Sequence, residues 1–347
     1  MLSPYLYKYV NLQVMILILG QKNDASTINV AEWLMYYNKK FLILNTDDTD
    51  FQIKFIDIKN QKLIIASNDV DYNLFETTSV WNRRLGISPA SFTNSFLSKK
   101  HFCSFFMEDG DDYHYKHLLN ESKILFEFIH YIVEKSSMAI GSFFSNSVNK
   151  LIVLEKAAAL GLMVPDTYVC SSKNDLNEIM LINSSSNVIT KAISEGVYRP
   201  HVENEYLYYS NVERVSSLDL CDFSSNFYPS LIQLEIEKQF DIRVFILMDH
   251  FFPMAIFSQE EEDAVTDFRK NDHYNNPLRC VPYKLPYHIE KQIRELMKSL
   301  RLNTGSIDLL LNNKGEYVFL EINPCGQYTM TSLPCNYLLD REIAKLL

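Results

Sequence analysis

Residues 304–327 constrain the fold more than any other part of this chain. Two apolar, β-branched runs, residues 307–311 and 316–322, are separated by the turn-forming sequence Asn-Asn-Lys-Gly. This pattern predicts a β-hairpin. Pairing Leu311 with Glu316 places Asp308 opposite Phe319, because side chains alternate along a strand. In this register one face is a core layer made of Ile307, Leu309, Val318, Leu320 and Ile322.

The other face of the predicted hairpin carries two carboxylates and an amide oxygen, on Asp308, Glu321 and Asn323. Mg²⁺ prefers hard oxygens from few side chains, with substrate phosphates and water completing its octahedron. Pro324 and Gly326 stop the strand after Asn323 and expose its end. The sequence therefore predicts a magnesium site here, the alternative being an ordinary hairpin with a wet polar face.

The composition indicates a packed globular protein of two or three domains. The chain has 347 residues, 47% of them hydrophobic, with only 9 Gly and 11 Pro. A net charge of -10 opposes nonspecific nucleic-acid binding, which needs a basic face. Six cysteines without a Cys-x-x-Cys pair indicate neither a zinc site nor a disulfide framework, and they suit a reducing cytoplasm. No apolar run reaches the roughly 20 residues of a membrane helix.

The order of predicted elements indicates an α/β layer followed by α+β units. Residues 15–19 and 41–44 read as strands around a helix capped by Ser26 or Thr27. Further elements are predicted as a hairpin over 51–58 and 62–66, helices over 122–135, 149–160, 175–182 and 287–300, and strands over 168–170, 187–192, 231–236, 243–248 and 251–258. The expected divisions are an extension at 1–14, an N-terminal domain at 15–140, and subdomains at 141–225 and 226–347.

Two segments leave alternatives open. Arg83 and Arg84 beside Trp81 are either a recognition patch for an acidic or aromatic partner or a solvated or salt-bridged surface pair. Residues 203–209 are either an edge to which a leader peptide adds as a strand or a plain internal hairpin. Within this region, residues 205–210 are predicted to pair with 213–215.

Upstream of the hairpin, candidate phosphate-binding cations are Lys150 and Lys191. Lys191 ends an apolar strand, where a lysine either binds a ligand or reaches water. Residues 231–236 end another apolar strand. This strand is either the type of edge whose backbone groups read an adenine or an ordinary amphipathic edge strand.

Taken in order, these motifs resemble the ATP-grasp fold. More closely, the chain is similar to the grasp-with-spasm peptide maturases of the graspetide, or microviridin-like, group. The resemblance rests on NKLIVLEKAAALGLMVPDTYV, FDIRVFIL, MAIFSQ, DFR, LNTGSIDLLL and FLEINPCGQY, and it extends to QKNDASTINVAEWL and VWNRR. It implies an ATP-grasp fold, mixed α/β and α+β, preceded by an α/β pre-ATP-grasp domain.

The resemblance also implies roles for individual residues. The expected phosphate ligands are Lys150, Lys191 and Arg243. The expected hinge around adenine and ribose is made of Gln233, Glu235, Ile236 and Glu237. The expected Mg²⁺ ligands are Asp308, Glu321 and Asn323. Asp267 and Arg269 match the motif that holds an acidic side chain of the peptide, with Asp267 either orienting Arg269 or acting as a base. One departure is the single glycine in 192–196, where many ATP-grasp enzymes have a glycine-rich lid.

The implied activity is an ATP- and Mg²⁺-dependent ligase that closes macrocycles. It would activate Glu or Asp side chains of a leader-bearing ribosomal precursor peptide as acylphosphates, for attack by Thr or Ser to give an ester or by Lys to give an amide. A homodimer is also implied. The alternatives are an ATP-grasp ligase that adds free amino acids to a protein or small molecule, and a non-catalytic module that binds ATP or peptide.

Overall fold

The structure is a computed structural model that describes most of the chain. The described ranges are 15–46, 48, 51–67, 69–84, 86, 88–98, 112–183, 186–194, 198–200, 207–209, 212–216, 224–259, 266, 268 and 277–347. The chain forms two compact units: Met1–Asn146 together with Leu338–Leu347, and Ser147–Tyr337. We call them unit 1 and unit 2. The four-part division expected from the sequence remains a prediction.

Unit 1 is built on a parallel sheet. Its elements in chain order are β1 Met15–Gly20, α1 Ala25–Tyr36, β2 Phe41–Asn45, β3 Gln52–Asp57, β4 Lys62–Ser67, β5 Val70–Asn73, β6 Thr77–Asn82, α2 Pro89–Ser98, α3 Asp112–Val133 and β7 Met138–Ile140. The parallel sheet has the order β2-β1-β6-β7, and β3-β4-β5 form a separate antiparallel sheet. The predicted strand-helix-strand layer and the predicted hairpin are both confirmed.

The N-cap of helix α1 lies two or three residues before the predicted caps. The N-cap is Asp24, whose carboxylate accepts from the backbone N–H and the hydroxyl of Thr27; the expectation of Ser26 or Thr27 as cap was wrong. Arg83 binds the same carboxylate, with Nε 3.1 Å from Oδ2, and its side chain is only 3% exposed. Of the two alternatives for Arg83, the structure supports the salt-bridged one.

Burial raises the pKa of Asp24, but the charge of Arg83 and the hydrogen bonds from Thr27 and Arg83 outweigh it and hold that pKa below its ordinary value. The carboxylate therefore contributes stability that is complete above its unfolded pKa of about 4 and is lost as pH falls through the lower folded value.

We expect Asp24→Asn to lower the free energy of unfolding by about 3 kcal/mol at pH 7, because Asn still caps the helix but the carboxylate that pairs with the buried Arg83 is lost. Urea unfolding should show a constant deficit from about pH 7 to 5 that shrinks below about pH 4, where wild type loses the same contribution. Glu32→Gln, at an exposed position of the same helix, is the control. A deficit that does not depend on pH would contradict the assignment.

Unit 2 contains three antiparallel sheets and four helices in the described ranges. Its elements are α4 Lys150–Ala159, β8 Thr167–Ser172, α5 Lys173–Ile182, β9 Val188–Lys191, β10 Tyr198–Pro200, β11 Leu207–Tyr209, β12 Glu213–Val215, β13 Asn226–Leu234, β14 Lys238–Leu247, β15 His250–Phe257, β16 Arg279–Pro282, α6 Tyr287–Ser299, β17 Thr304–Asn312, β18 Tyr317–Asn323 and α7 Thr329–Cys335. The sheet orders are β12-β9-β13-β8, β10-β11 and β16-β15-β14-β17-β18.

The five-stranded sheet of unit 2 has two different faces. On β14, Ile242, Val244 and Ile246 pack in one core with residues of α4 and α6. The residues between them, including Arg243, therefore project to the opposite face, because side chains alternate along a strand. We call that opposite face the polar face of this sheet.

The strand pairing predicted for the middle segment was wrong. β11 pairs with β10, so that Leu207 lies opposite Pro200, whereas β12 pairs with β9. The pairing is therefore internal, but it does not join the two runs that are neighbours in sequence. Local alternation identified these short strands without specifying their partners.

The last ten residues return to unit 1. Helix α8, Leu339–Leu346, packs against α1. Lys39 Nζ donates to the carbonyl oxygen of Ala344 at 3.1 Å, and Ser79 Oγ donates to that of Leu347 at 2.9 Å. These contacts join the end of the chain to β6 and to the segment that follows α1.

In the described ranges, no helix is long and apolar enough to cross a membrane.

Candidate active site

The predicted terminal hairpin is present, but its register contains a bulge. Leu311 pairs with Tyr317 and Leu309 with Phe319, after which the register shifts so that Asp308 lies opposite Glu321. Leu320 is the extra residue on β18. The expected pairs Leu311–Glu316 and Asp308–Phe319 were both wrong. The turn shifts the pairing by one residue, and the bulge, which simple alternation cannot include, shifts it by another.

The bulge also changes which side chains enter the core. Phe319, rather than Leu320, joins Ile307, Leu309 and Ile322 in the core between the sheet and its helices. Val318 is fully buried but is not part of that cluster. The bulge therefore puts Phe319 instead of Leu320 in the core. It also brings the two carboxylates, Asp308 and Glu321, directly across from each other on the polar face.

The loop after β18 turns sharply at the end of the hairpin. Asn323 Oδ1 accepts a hydrogen bond from the backbone N–H of Cys325 at 3.1 Å. Gly326 has φ +56°, and a Cβ there would lie 2.9 Å from the Phe245 ring. The turn needs glycine for both reasons. Asn323 is exposed at the strand end, as predicted, and its amide oxygen already has one backbone donor.

Arg243 is the neighbour of Asp308 on the adjacent strand β14. Its Nη1 lies 3.3 Å from Asp308 Oδ1 and 3.5 Å from Oδ2, longer than the roughly 2.7–2.9 Å of a tight charge-assisted bond. The Arg243 side chain is 8% exposed, and in the described part of the chain its buried Nε has no hydrogen-bond partner. A buried guanidinium with an unused donor fits an anionic ligand.

Lys150 supplies a second cation to the same face. It is the first residue of α4, whose N-cap Asn149 accepts from the backbone N–H groups of Leu151 and Ile152. Its Nζ lies 3.2 Å from Glu321 Oε2 and donates to the carbonyl oxygen of Ala192 at 3.3 Å. Lys150 thus connects the hairpin to Ala192. The residue before Ala192 is Lys191, which ends β9 and is half-buried.

The predicted hinge is the connection from β13 to β14. Gln233 is buried, and its amide donates to Thr167 Oγ1 at 2.8 Å. Ile236 is half-buried and Glu237 is exposed. The Glu237 carboxylate accepts from Asn313 Nδ2 at 3.2 Å. The side chains of Gln233 and Glu237 therefore each contact a protein group.

Glu235, also in the hinge, holds several chain segments together. Its carboxylate accepts from Arg214, Asn187 and Thr266, each at 2.8 Å, and its backbone N–H donates to Asn187 O. None of these partners was singled out in the sequence, because they lie 21 to 48 residues away and no local pattern signals such contacts.

A buried ion pair beside the hinge was also missed. Lys238 Nζ lies 2.7 Å from Asp241 Oδ2, with both side chains 6% exposed. Ser258 Oγ donates to the same oxygen at 2.7 Å. Asp241 begins the Asp-x-Arg motif that contains Arg243, so the spacing marked this carboxylate but gave no indication of its partner.

Asp267 and Arg269 lie outside the described residues. Phe268, between them in the sequence, is 8% exposed and packs with Met254 and Ile256 of β15. Met254 lies opposite Arg243, so Phe268 packs on the polar face of the sheet.

The donor set fits magnesium bound together with a polyphosphate. Asp308 and Glu321 are opposed across the bulge, and Mg²⁺ needs only one or two protein carboxylates where phosphates supply the remaining ligands. Arg243 and Lys150 lie beside these carboxylates and would face the phosphates. In the described ranges, no group of three or more His, Cys, Asp or Glu side chains is gathered for metal binding.

No family model matches this sequence, and no curated protein is similar to it. Solved structures do match. The macrocyclase MdnC from Microcystis aeruginosa MRC, bound with precursor peptide MdnA, has a TM-score of 0.73 at 23% identity over 96% of this chain and 99% of its own. A RiPP-associated ATP-grasp ligase from Chryseobacterium gregarium, in complex with ADP and a leader and core peptide, has a TM-score of 0.74 at 21% identity over 96% and 95%.

A third match is the ATP-grasp ligase PsnB, complexed with a phosphomimetic variant of a minimal precursor, Mg and ADP. It has a TM-score of 0.67 at 14% identity over 96% of this chain and 97% of its own. At these identities the matches establish the fold. The chain has the ATP-grasp fold over nearly its whole length, which confirms the fold predicted from the sequence.

Proposed function

We propose that this protein is an ATP-dependent, ADP-forming peptide ligase that closes macrocycles in a ribosomally made precursor peptide. The observation that carries the proposal is the row Arg243, Asp308, Glu321 and Lys150 on the polar face of an ATP-grasp sheet. The matched structures support the substrate class, because MdnC, the Chryseobacterium gregarium ligase and PsnB are each complexed with a precursor or with leader and core peptide.

In this proposal the chain's own groups hold the triphosphate for in-line transfer. Arg243 and Lys150 neutralise charge on the phosphates, with Lys191 as a third cation near the end of β9. Asp308, Glu321 and Asn323 would hold Mg²⁺, which when bound would offset the negative charge that develops during transfer. The hinge at 233–237 accepts the base, chiefly through its backbone.

The chemistry follows from the poor electrophilicity of a carboxylate. A Glu or Asp side chain of the peptide attacks the γ-phosphorus of ATP, which releases ADP and gives an acylphosphate. A Thr or Ser hydroxyl, or a Lys amine, then adds to the acyl carbon and expels phosphate. The new bond is an ester or an amide, and the peptide loses one water for each ring.

Recognition of the peptide is assigned to Asp267 and Arg269. A guanidinium makes a bidentate contact with a carboxylate, which would hold the acidic side chain in line with the phosphate. Asp267 either orients Arg269 or takes the proton of the nucleophile. The proposal also includes a leader segment on the precursor peptide. The enzyme itself is proposed to be a homodimer in the cytoplasm. The free cysteines Cys170, Cys280, Cys325 and Cys335 suit a reducing compartment.

The test is incubation with ATP, Mg²⁺ and the short peptide encoded beside this gene. We expect mass spectrometry to find the loss of one water per ring together with stoichiometric ADP. Release of AMP would contradict the acylphosphate scheme. A mass increase would indicate a ligase that adds free amino acids, and nucleotide binding without turnover would indicate a non-catalytic module.

A further inference from the structure

Ser306 lies beside the proposed Mg²⁺ ligands on the polar face. Its neighbour in sequence, Ile307, packs in the core on the other side of the sheet, so Ser306 and Asp308 both project from β17 onto the polar face, because side chains alternate along a strand. Ser306 lies opposite Asn323 on β18, and Asp308 lies opposite Glu321. One proposed ligand is therefore directly across from Ser306, one is further along its own strand, and the third is on the diagonal.

The hydroxyl of Ser306 is buried without a partner. Ser306 is 1% exposed, and in the described part of the chain its Oγ makes no hydrogen bond. A buried hydroxyl of this kind lowers the stability of the folded protein, because it gives up its hydrogen bonds to water and gains none in return. A hydrogen bond that forms only in the ligand-bound protein would explain why a serine stands here.

Asn323 is the neighbour that can supply this hydrogen bond. Of the two residues directly opposite Ser306, Phe245 on β14 has no polar side-chain atom, whereas Asn323 on β18 carries an amide. Side chains directly opposite each other have Cβ atoms about 4.5–5.5 Å apart, which is within reach of a hydrogen bond between a hydroxyl and an amide.

The amide of Asn323 has groups left for both a metal ion and Ser306. Its Oδ1 accepts from the backbone N–H of Cys325 at 3.1 Å, and an amide oxygen has a second acceptor position, which can bind a cation. Its Nδ2 carries two donors, and a serine hydroxyl accepts as well as donates. A hydrogen bond from Nδ2 to Ser306 Oγ therefore competes neither with Cys325 nor with a metal ion.

Close backbone packing holds β17 against the end of β18 at this point. A Cβ at Gly305 would lie 3.0 Å from the carbonyl oxygen of Asn323, and a Cβ at Gly326 would lie 3.3 Å from Gly305 Cα. The backbone on either side of Ser306 and Asn323 is thus fixed, so that the orientation of the Asn323 amide depends on what its side chain contacts.

We infer that Ser306 is a positioning residue for the proposed Mg²⁺ site. Its hydroxyl accepts from Asn323 Nδ2 in the metal-bound protein and so fixes the orientation of Oδ1 on the same amide. Groups that orient a metal ligand contribute about 10–100-fold to metal affinity. The inference rests on the proposed function, in which Asp308, Glu321 and Asn323 hold Mg²⁺, and it adds a residue to that site.

The first test is stability in the absence of ligand. Ser306→Ala removes the unpartnered hydroxyl, so we expect it to unfold in EDTA at the same urea concentration as wild type or a higher one. Thr304→Val is the matched control: Thr304 precedes Ser306 on the same strand, is 6% exposed, and donates to the carbonyl oxygen of Ile246 at 2.9 Å. Its loss should lower the urea midpoint. A lower midpoint for Ser306→Ala would overturn the inference, because the hydroxyl would then have a partner in the ligand-free protein.

The second test is the Mg²⁺ requirement of ADP binding, measured by calorimetry at a series of Mg²⁺ concentrations. Ser306→Ala should raise the half-effective Mg²⁺ concentration by about tenfold, whereas Thr304→Val should stay within about twofold of wild type. The affinity for ADP in EDTA should be the same in both variants as in wild type. An unchanged Mg²⁺ requirement in Ser306→Ala, or an equal loss of ADP affinity in EDTA, would overturn the inference.

Asn323→Ala identifies the partner of Ser306. Since Ser306 acts through the Asn323 amide in this inference, Ser306→Ala should have no further effect on the Mg²⁺ requirement when Asn323→Ala is already present. Independent effects that multiply in the double variant would overturn it. Wild type that binds ADP with Mg²⁺ but does not cyclise the peptide would count against the proposed function alone, and ADP binding by wild type that does not depend on Mg²⁺ would count against both.

Discussion

Replacement of Asp308 with Asn is expected to lower the rate of ADP formation by about a thousandfold, the range seen when a group that stabilises transition-state charge is removed. The change removes one of two carboxylates that oppose each other across the bulge. It also leaves Arg243, whose Nη1 lies 3.3 Å from Asp308, without its anionic neighbour. The affected step is phosphoryl transfer, in which fixed groups of the protein stabilise the negative charge on the transferred phosphoryl group.

The measurement is a single-turnover assay that follows ADP and the water-loss product together. Both should fall by the same factor, because the proposed acylphosphate precedes ring closure. Asp249→Asn is the matched control: it lies on the turn between β14 and β15 with its side chain 85% exposed, and we expect the wild-type rate. A variant at position 308 that turns over normally would refute the catalytic metal site.

The largest expected effect on stability is at Asp241. Asp241→Asn should lower the free energy of unfolding by about 3–5 kcal/mol, because it leaves the ammonium of Lys238 buried without a counter-charge. The two side chains are each 6% exposed and 2.7 Å apart, and Ser258 completes the site. A buried ion pair of this kind adds little to the free energy of unfolding compared with apolar side chains of similar volume. Removal of one partner, however, lowers that free energy strongly.

Urea unfolding checks this expectation, with Glu295→Gln as the control. Glu295 pairs with Lys298 at 3.0 Å on the surface of α6, with side chains 47% and 64% exposed, and such a pair contributes at most about 1 kcal/mol. Addition of Lys238→Met to Asp241→Asn should recover part of the loss, because the uncompensated charge is then gone. If the double variant is less stable than Asp241→Asn, an unpaired charge is not the cause.

The sequence predicted the terminal hairpin, but it could not predict where the pairing of its two strands slips. Both Phe319 and Leu320 are apolar, so alternation assigns either one to the core equally well. Only packing against the helices selects Phe319 and places Asp308 opposite Glu321. The cap of α1 was misplaced for a similar reason, since Asp24, Ser26 and Thr27 are all good capping residues.

Long-range contacts were beyond sequence reasoning altogether. The partners of Glu235 come from three separate segments, and no local pattern indicated that Lys238 pairs with Asp241. Asp308 and Glu321 were found on the polar face of the predicted hairpin and Lys150 in the search for cations upstream of it, and the resemblance then supplied their roles. Their mutual distances required the fold.

The return of α8 to unit 1 has a consequence for how the protein is made. During translation, the surface of α1 that α8 covers stays uncovered while all of Ser147–Tyr337 is being synthesised. Unit 2 has its complete sequence before unit 1 does, although unit 1 starts first. Unit 1 can therefore reach its final packing only after α8 has left the ribosome, by which time all of unit 2 has already been synthesised.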